Sequence, residues 1–190
     1  MIDRLEALKY LVGRLDGELV LASLGNEKTD LVVAGDRHRN FYMWNAMGMA
    51  GSMALGLAMA RPADKVIVLE GDGALLMNLG SLATAMVRSP PNLVHIVWDN
   101  RMYHLTGQQP TAAAFRTDLG RVAAGCGFES VARCETLEAF KEAAERALTS
   151  DGPHFIHALN DEKGSGGALP GSPTFIKHRF KAALGLGGYS

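Results

Sequence analysis

Two oxygen-bearing side chains follow neighbouring apolar runs of this sequence. Asp72 lies between two glycines directly after the run 66–69, and Asn100 follows the run 93–98. Short continuous apolar runs are typical of strands covered on both faces, and the intervening segment is long enough for a parallel crossover. Ligands of open parallel sheets bind beyond the carboxyl ends of the strands. A carboxylate and an amide oxygen at that edge suit Mg²⁺ or Ca²⁺, which complete their shell with carbonyls, water and phosphate oxygens.

The glycines beside Asp72 favour a phosphate at the same place. Gly71 and Gly73 let a bulky group approach the backbone, and the amides of Gly73, Ala74 and Leu75 open the next helix. Backbone amides at a helix start are a natural seat for phosphate. A Gly-Asp-Gly turn alone is more typical of an ordinary strand-to-helix turn with an aspartate cap. Together with the asparagine after the next strand, it predicts a metal-bridged phosphate or diphosphate.

The elements that must position these groups alternate along the chain. Hydrophobic spacing predicts helices over 2–15, 46–60, 75–87, 117–124, 137–148 and 174–184, the fifth capped by Thr136. Strands are predicted over 19–22, 31–33, 66–69, 93–98, 130–132 and 155–159. This alternation predicts a single three-layer α/β/α domain over 1–190 with a mainly parallel central sheet. The Gly/Ser/Pro-rich stretch 164–173 predicts a mobile loop before a C-terminal helix within 174–185.

Composition excludes several classes of function. The chain has 190 residues with 19 basic and 20 acidic side chains, so no global charge favours nucleic acid. Cys126 and Cys134, the two cysteines, form no CxxC pair, which argues against a cysteine-ligated metal and favours a reducing, cytoplasmic location. The uncharged run 43–60 is rich in Ala, Met and Gly, which indicates a closely packed helix and not a membrane span.

With these residues in place, the sequence resembles the thiamine diphosphate-dependent enzymes, whose signature is GDG followed by NN. Here Gly71-Asp72-Gly73 matches the first part, and Asp99-Asn100 stands at the second, with Asp99 replacing the first asparagine. The resemblance covers nearly the whole chain and includes DRHRNFYM at 36–43, MGMA at 47–50, GDGALLMNLGSL at 71–82 and TGQQPT at 106–111. It is greatest with the β subunit of sulfopyruvate decarboxylase and the C-terminal half of phosphonopyruvate decarboxylase.

The resemblance implies a set of cofactor and metal contacts. Asp72 and Asn100 would bind Mg²⁺ through their side chains and Met102 through its carbonyl, which does not depend on the side chain. The backbone at Gly71, Asp72, Gly73 and Ala74 would meet the diphosphate of thiamine diphosphate.

Four further residues acquire roles from the same resemblance. Met47 falls where the family places a large apolar residue under the bent cofactor, and the carbonyl of Asn45 falls where the pyrimidine amino group is bound. Glycine is common at the position of Asn45. His104 and Thr106 lie on a loop that approaches the reactive end of the cofactor, and some decarboxylases have a catalytic glutamate where Thr106 stands.

One part of a complete active site is missing from this sequence. The family uses a glutamate on a pyrimidine-binding domain, across a subunit interface, and no segment here resembles that domain. The resemblance therefore implies a separate α subunit that supplies the glutamate, together with self-association. The expected substrate is a small anionic 2-oxoacid, and the expected reaction converts sulfopyruvate to sulfoacetaldehyde and CO₂. Three alternatives stay open: phosphonopyruvate decarboxylation, acetolactate synthase-like or oxidoreductase chemistry, and a non-catalytic homologue that binds the cofactor.

Overall fold

The computed structural model describes residues 1–161 and 164–187. These residues form eight α-helices and eight strands. The helices are α1 (Arg4–Arg14), α2 (Asn26–Gly35), α3 (Ala50–Ala60), α4 (Asp72–Leu76), α5 (Gly80–Arg88), α6 (Leu119–Gly125), α7 (Leu137–Thr149) and α8 (Pro173–Ala183). The strands are β1 (Leu19–Ala22), β2 (Asn40–Tyr42), β3 (Val66–Gly71), β4 (Leu93–Asp99), β5 (Met102–Tyr103), β6 (Gln109–Pro110), β7 (Ser130–Cys134) and β8 (His154–Leu159).

Six strands form one parallel sheet in the order β2-β1-β3-β4-β8-β7, and β5 and β6 form a separate antiparallel hairpin. The central strands are buried along their whole length because helices cover both faces. Alternate strand residues enter two cores: Val20 and Ile67 face the side packed by α1, α2 and α7, whereas Leu19 and Val66 face α3, α5 and α6. This is the predicted three-layer α/β/α architecture.

The chain changes direction across the sheet between β1 and β3. The connection after β1 runs outward to β2, and the connection after β3 runs the other way to β4. In open parallel sheets, such a switch point leaves a crevice beyond the carboxyl ends of the two strands. The ends of β1 and β3 therefore lead into α2 and α4 on either side of one crevice.

Three details of the predicted elements were wrong. The run 31–33 was predicted as a strand but is the second half of α2, because Leu31 is buried in the core shared with α1. The helix predicted over 75–87 is two helices, α4 and α5, separated at 77–79. The helix predicted from 46 begins at Ala50, since Asn45 and Gly48 have positive φ angles that a helix does not contain.

The stretch 164–173, predicted as a mobile loop, has no regular secondary structure up to residue 172, whereas Pro173 begins α8. Its first residues lie against α2. The amide of Ser165 donates a 2.7 Å hydrogen bond to Oδ1 of Asp30, and the backbone at Gly167 lies close to the carbonyl of Thr29. Its mobility stays a prediction. No helix within the described residues is both long and apolar enough to cross a bilayer.

Candidate functional site

A cavity of about 120 Å³ opens at the switch point between β1 and β3. Its walls come from the start of α2, the Gly-Asp-Gly turn, the end of β4 and the β5–β6 hairpin. Nine of the ten predicted site residues line it: Met47, Gly71, Asp72, Gly73, Ala74, Asn100, Met102, His104 and Thr106. The structure thus brings together residues that are far apart in the sequence, although their individual roles stay predictions.

Asp72 is the first residue of α4 and is almost fully buried. Its Oδ2 accepts a 2.6 Å hydrogen bond from the Oγ1 hydroxyl of Thr111, which lies just after β6. Burial raises the pKa of Asp72 to about 6, the Thr111 hydrogen bond opposes that rise, and the nearby charge of Asp99 adds to it. A buried carboxylate with this environment is stabilised in its charged form by a cation.

Asn100 and Met102 line the same cavity as Asp72. The amide of Met102 donates a 3.1 Å hydrogen bond to Oδ1 of Asn100, which fixes that side chain against the wall of the cavity. In the hairpin, the backbone amide of Thr111 donates to the carbonyl of Arg101. The next pair of residues, Met102 and Pro110, is therefore a non-hydrogen-bonded pair. The carbonyl of Met102 therefore points out of the ladder, as a carbonyl ligand requires.

Gly73 has no room for a side chain. A Cβ at this position would lie 2.6 Å from a ring carbon of Tyr103 in β5, and 3.5 Å from the terminal methyl of Met47. The glycine therefore lets the hairpin and the side chain of Met47 close over the first turn of α4. A Cβ at Gly71, in contrast, would meet nothing within 4 Å, so the approach of a ligand group to these two glycines stays a prediction.

The hairpin tip carries the two candidate catalytic residues. His104 and Thr106 both line the cavity, and the hydroxyl of Thr106 donates to the carbonyl of Tyr103 at 3.3 Å. The Nδ1 atom of His104 is buried and has no hydrogen-bond partner among the described residues. A polar atom in that state indicates a partner that the described residues do not supply.

Among the wall residues that were not predicted from the sequence, two have a buried polar atom without a hydrogen-bond partner in the described residues. Glu27 is 4% exposed at the start of α2, and its Oε1 has no hydrogen-bond partner within the described part of the chain. Burial raises the pKa of Glu27 to about 7, with a smaller opposing effect from Arg4. Trp98 near the end of β4 is also buried, and its Nε1 has no hydrogen-bond partner among the described residues. The one signal in the sequence for Glu27 is that this acidic residue directly follows Gly25 and Asn26.

The remaining predicted site residue and two other polar residues lie outside this cavity. Asn45 does not line it, and its φ of 47° is the left-handed conformation that glycine adopts most easily and asparagine tolerates. This explains why glycine is common at that position in the resembling family. Arg101 lines a second cavity and not this one. Asn78 donates to the carbonyl of Gly48 at 3.0 Å and so joins the α4–α5 junction to the loop that carries Met47.

A parallel α/β domain with a cavity at its switch point, glycines under the cavity and hard oxygen atoms in its wall defines a domain that binds a phosphate-bearing cofactor. The family model of the thiamine pyrophosphate enzymes, C-terminal TPP binding domain, matches residues 31–158. The chain belongs to this family.

Relatives agree with this assignment. The chain is 44% identical over 157 residues to the sulfopyruvate decarboxylase subunit beta of Methanothermobacter thermautotrophicus, covering 83% of this chain and 81% of that protein. It is 38% identical to the phosphonopyruvate decarboxylase of Streptomyces viridochromogenes, where the match covers 94% of this chain but 45% of the relative. Relatives named as decarboxylases of this cofactor family thus include both subunit-length and longer chains.

A solved structure supports the fold independently of close sequence similarity. The thiamine diphosphate-dependent 4-hydroxybenzoylformate decarboxylase of Rhodococcus jostii RHA1 superposes with a TM-score of 0.71 at 20% identity. The superposition covers 86% of this chain and 33% of that one. At this identity the likeness concerns the fold alone.

Proposed function

We propose that this chain is the cofactor-binding β subunit of a thiamine diphosphate- and Mg²⁺-dependent 2-oxoacid decarboxylase that resembles sulfopyruvate decarboxylase. One observation carries the proposal most directly: three buried polar atoms without partners among the described residues belong to side chains that line the same cavity. They are Oε1 of Glu27, Nε1 of Trp98 and Nδ1 of His104. Buried polar groups are normally hydrogen-bonded, so their concentration at one cavity indicates a polar ligand.

The donor set of the cavity fits Mg²⁺ and a diphosphate. Asp72 and Asn100 would hold the metal through side-chain oxygens and Met102 through its carbonyl, a set of hard oxygen ligands. Within the described residues, no group of three His, Cys, Asp or Glu side chains could hold a metal, which is consistent with a site that uses one carboxylate. The backbone at Gly71, Gly73 and Ala74 would meet the diphosphate.

The bound cofactor would supply an electron sink for the loss of CO₂ from a 2-oxoacid. The residues of this chain would bind and orient it: Met47 contacts the region over Gly73, and Trp98 closes the wall at β4. His104 and Thr106 at the hairpin tip would face the substrate and help to exclude water. Asn45 is proposed to act through its carbonyl, from the loop that precedes α3.

The size of the cavity supports a shared active site. A volume of about 120 Å³ is below the roughly 300–1,000 Å³ of typical small-molecule sites. We assign the remaining wall to an α subunit that carries the pyrimidine-binding domain and its glutamate. Relatives named subunit beta, matched over most of their length, support this division. Self-association and a cytoplasmic location belong to the same proposal, the latter supported by the free thiols of Cys126 and Cys134.

Cofactor binding tests the shared premise. Trp98 lines the cavity, so titration of the full chain with thiamine diphosphate should change its tryptophan fluorescence, and Mg²⁺ should strengthen the binding. Asp72→Ala should abolish the Mg²⁺ dependence, whereas the exposed Asp151→Ala serves as a matched control and should leave it intact. Equal affinity of Asp72→Ala and the unchanged chain would overturn the metal assignment.

Activity with the partner tests the reaction. The chain combined with an α subunit should decarboxylate sulfopyruvate, and the chain alone should not. Parallel assays with phosphonopyruvate and pyruvate separate the proposed substrate from the first alternative. A higher kcat/KM for phosphonopyruvate than for sulfopyruvate would overturn sulfopyruvate as the substrate. Tight cofactor binding by the assembled pair without turnover of any 2-oxoacid would support the non-catalytic alternative and overturn the proposed reaction.

A further inference from the structure

A second cavity, of about 330 Å³, lies at the same edge of the sheet, beyond the ends of β4, β8 and β7. The chain passes from β4 to the edge strand β7 and then returns to β8, which lies between them. The cavity therefore lies beyond the carboxyl ends of parallel strands, the edge at which ligands of open parallel sheets bind. The volume falls within the range of about 300–1,000 Å³ that small-molecule sites occupy.

The lining of this cavity is strongly cationic. Arg101, Arg116 and Arg121 lie on its wall, and none of their guanidinium groups has an ion-pair or hydrogen-bond partner among the described residues. Two acidic side chains also belong to the wall, and both have partners. Asp118 accepts from Arg133 at 3.1 Å, and Asp99 contacts His157 at 2.7 Å. Four arginines against two aspartates leave the wall with a net positive charge.

A second observation at this cavity is a buried nitrogen without a hydrogen-bond partner in the described residues. His157 in β8 is 1% exposed and lines the cavity, and its Nε2 atom is bound to Oδ2 of Asp99. Its Nδ1 atom has no hydrogen-bond partner in the described residues, and the nearby Oδ1 of Asp118 is 3.7 Å away. Unpartnered buried nitrogens are rare, so this atom indicates a ligand or ordered water in the cavity.

Backbone geometry directs the first of these arginines away from the cofactor cavity. Arg101 follows Asn100 directly, but its φ of 65° turns the chain, and Arg101 lines the second cavity, whereas Asn100 lines the first. A bulky residue in the left-handed conformation is strained, and two backbone hydrogen bonds of Arg101 offset this strain: its amide donates to Asp99, and its carbonyl accepts from the amide of Thr111.

We propose that this second cavity binds a phosphate-bearing small molecule, separate from the cofactor. Planar guanidinium groups match phosphate oxygens with paired hydrogen bonds, and three of them here have no competing partner in the described chain. Phe115 lies on the rim and is 74% exposed, so an apolar ring is available to the rest of such a molecule. The inference does not depend on the reaction at the first cavity.

Calorimetric titration with inorganic phosphate tests the proposal, at an ionic strength held constant with sodium chloride. The full chain should bind phosphate saturably. The double variant Arg116→Gln/Arg121→Gln should weaken that binding by roughly tenfold or more, because two charge-assisted contacts are lost. The exposed Arg88→Gln in α5 is the matched control and should not change the affinity. Both variants replace exposed side chains, so folding is checked by circular dichroism and thermal unfolding.

Two results would overturn the proposal. One is the absence of saturable binding beyond the effect of chloride. The other is equal phosphate affinity in the double variant and in Arg88→Gln, because phosphate would then occupy another place. Amide chemical-shift changes at 117–121 on phosphate addition would locate the anion at the second cavity independently. Changes at 71–74 without changes at 117–121 would assign the anion to the first cavity instead.

Discussion

The hydroxyl of Thr111 donates a 2.6 Å hydrogen bond to the buried carboxylate of Asp72, although the two residues belong to different elements. Thr111 is itself 1% exposed and follows the β5–β6 hairpin, whereas Asp72 begins α4. This bond fixes the hairpin, with His104 and Thr106 at its tip, relative to the Gly-Asp-Gly turn. The candidate metal ligand and the candidate catalytic loop are thereby positioned by one contact.

Thr111→Val should weaken the Mg²⁺-dependent binding of thiamine diphosphate. The change keeps the shape of the side chain but removes the donor that orients Asp72, and loss of such an outer partner typically lowers metal affinity by about 10–100-fold. Fluorescence titration with Mg²⁺ at fixed cofactor measures the effect. Thr111→Ser retains the hydroxyl and should restore most of the affinity; unchanged affinity of Thr111→Val would refute the orienting role.

Gly73→Ala should disrupt the cavity without unfolding the domain. The new methyl group would meet the ring of Tyr103 at 2.6 Å, so the hairpin must move outward. We expect cofactor affinity to fall by about tenfold or more, since overpacking of this kind costs about 1–3 kcal/mol. Gly80→Ala is the matched control, because a Cβ there meets nothing within 4 Å. Equal cofactor affinity of the two variants would show that the hairpin can move outward without changing cofactor binding.

Glu27→Gln should change the pH dependence of stability. The folded-state pKa of Glu27 is raised from 4.5 to about 7, mainly by burial, while Arg4 and Lys28 oppose the rise and Glu70 adds to it. The stabilising contribution of the neutral acid is complete below pH 4.5 and is lost as the pH rises through about 7. That loss is on the order of 3 kcal/mol, at about 1.4 kcal/mol for each pKa unit.

Chemical denaturation at several pH values measures this contribution. Glu27→Gln should match the unchanged chain near pH 5 and exceed its free energy of unfolding near pH 8, because glutamine never carries the buried charge. Glu129→Gln, at an exposed position, is the control and should follow the unchanged chain at every pH. A constant difference between Glu27→Gln and the unchanged chain would contradict the raised pKa.

Asn45→Gly and Asn45→Ala should differ in stability although neither removes a predicted side-chain contact. At a φ of 47°, alanine is strained by about 1–2 kcal/mol, whereas glycine is not. We therefore expect the glycine variant to unfold at a higher denaturant concentration than the alanine variant. Equal midpoints for the two variants would mean that the loop before α3 relaxes to a negative φ.

Local sequence patterns predicted most of the layers, because the strands that form the centre of the sheet are continuously apolar and the long helices are periodic. They failed where tertiary contacts override local preference. The β-branched pair at 32–33 favours a strand in isolation, yet Leu31 and its helix are buried against α1. The two-residue strands of the hairpin and the short β2 are too small to produce a periodic signal.

The site was predictable to the extent that it depends on residue type. Side-chain chemistry and a position directly after a predicted strand identify Asp72, Asn100 and the glycines as candidates. Glu27 and Trp98 do not, since only burial and the lack of a partner distinguish them from ordinary side chains. Arg101 directly follows Asn100 in the sequence, yet it has a positive φ, which the sequence does not reveal, and it lines another cavity.

The end of β4 separates two cavities by a single peptide unit, with Asp99 on one side and Asn100 on the other. Because neighbouring residues of an extended chain point to opposite sides, a one-residue insertion or deletion before this point would exchange them. Both cavities would then lose their polar walls at once. We therefore expect the length of the segment between Asp72 and Asn100 to tolerate far less variation during evolution than the identity of most residues within it.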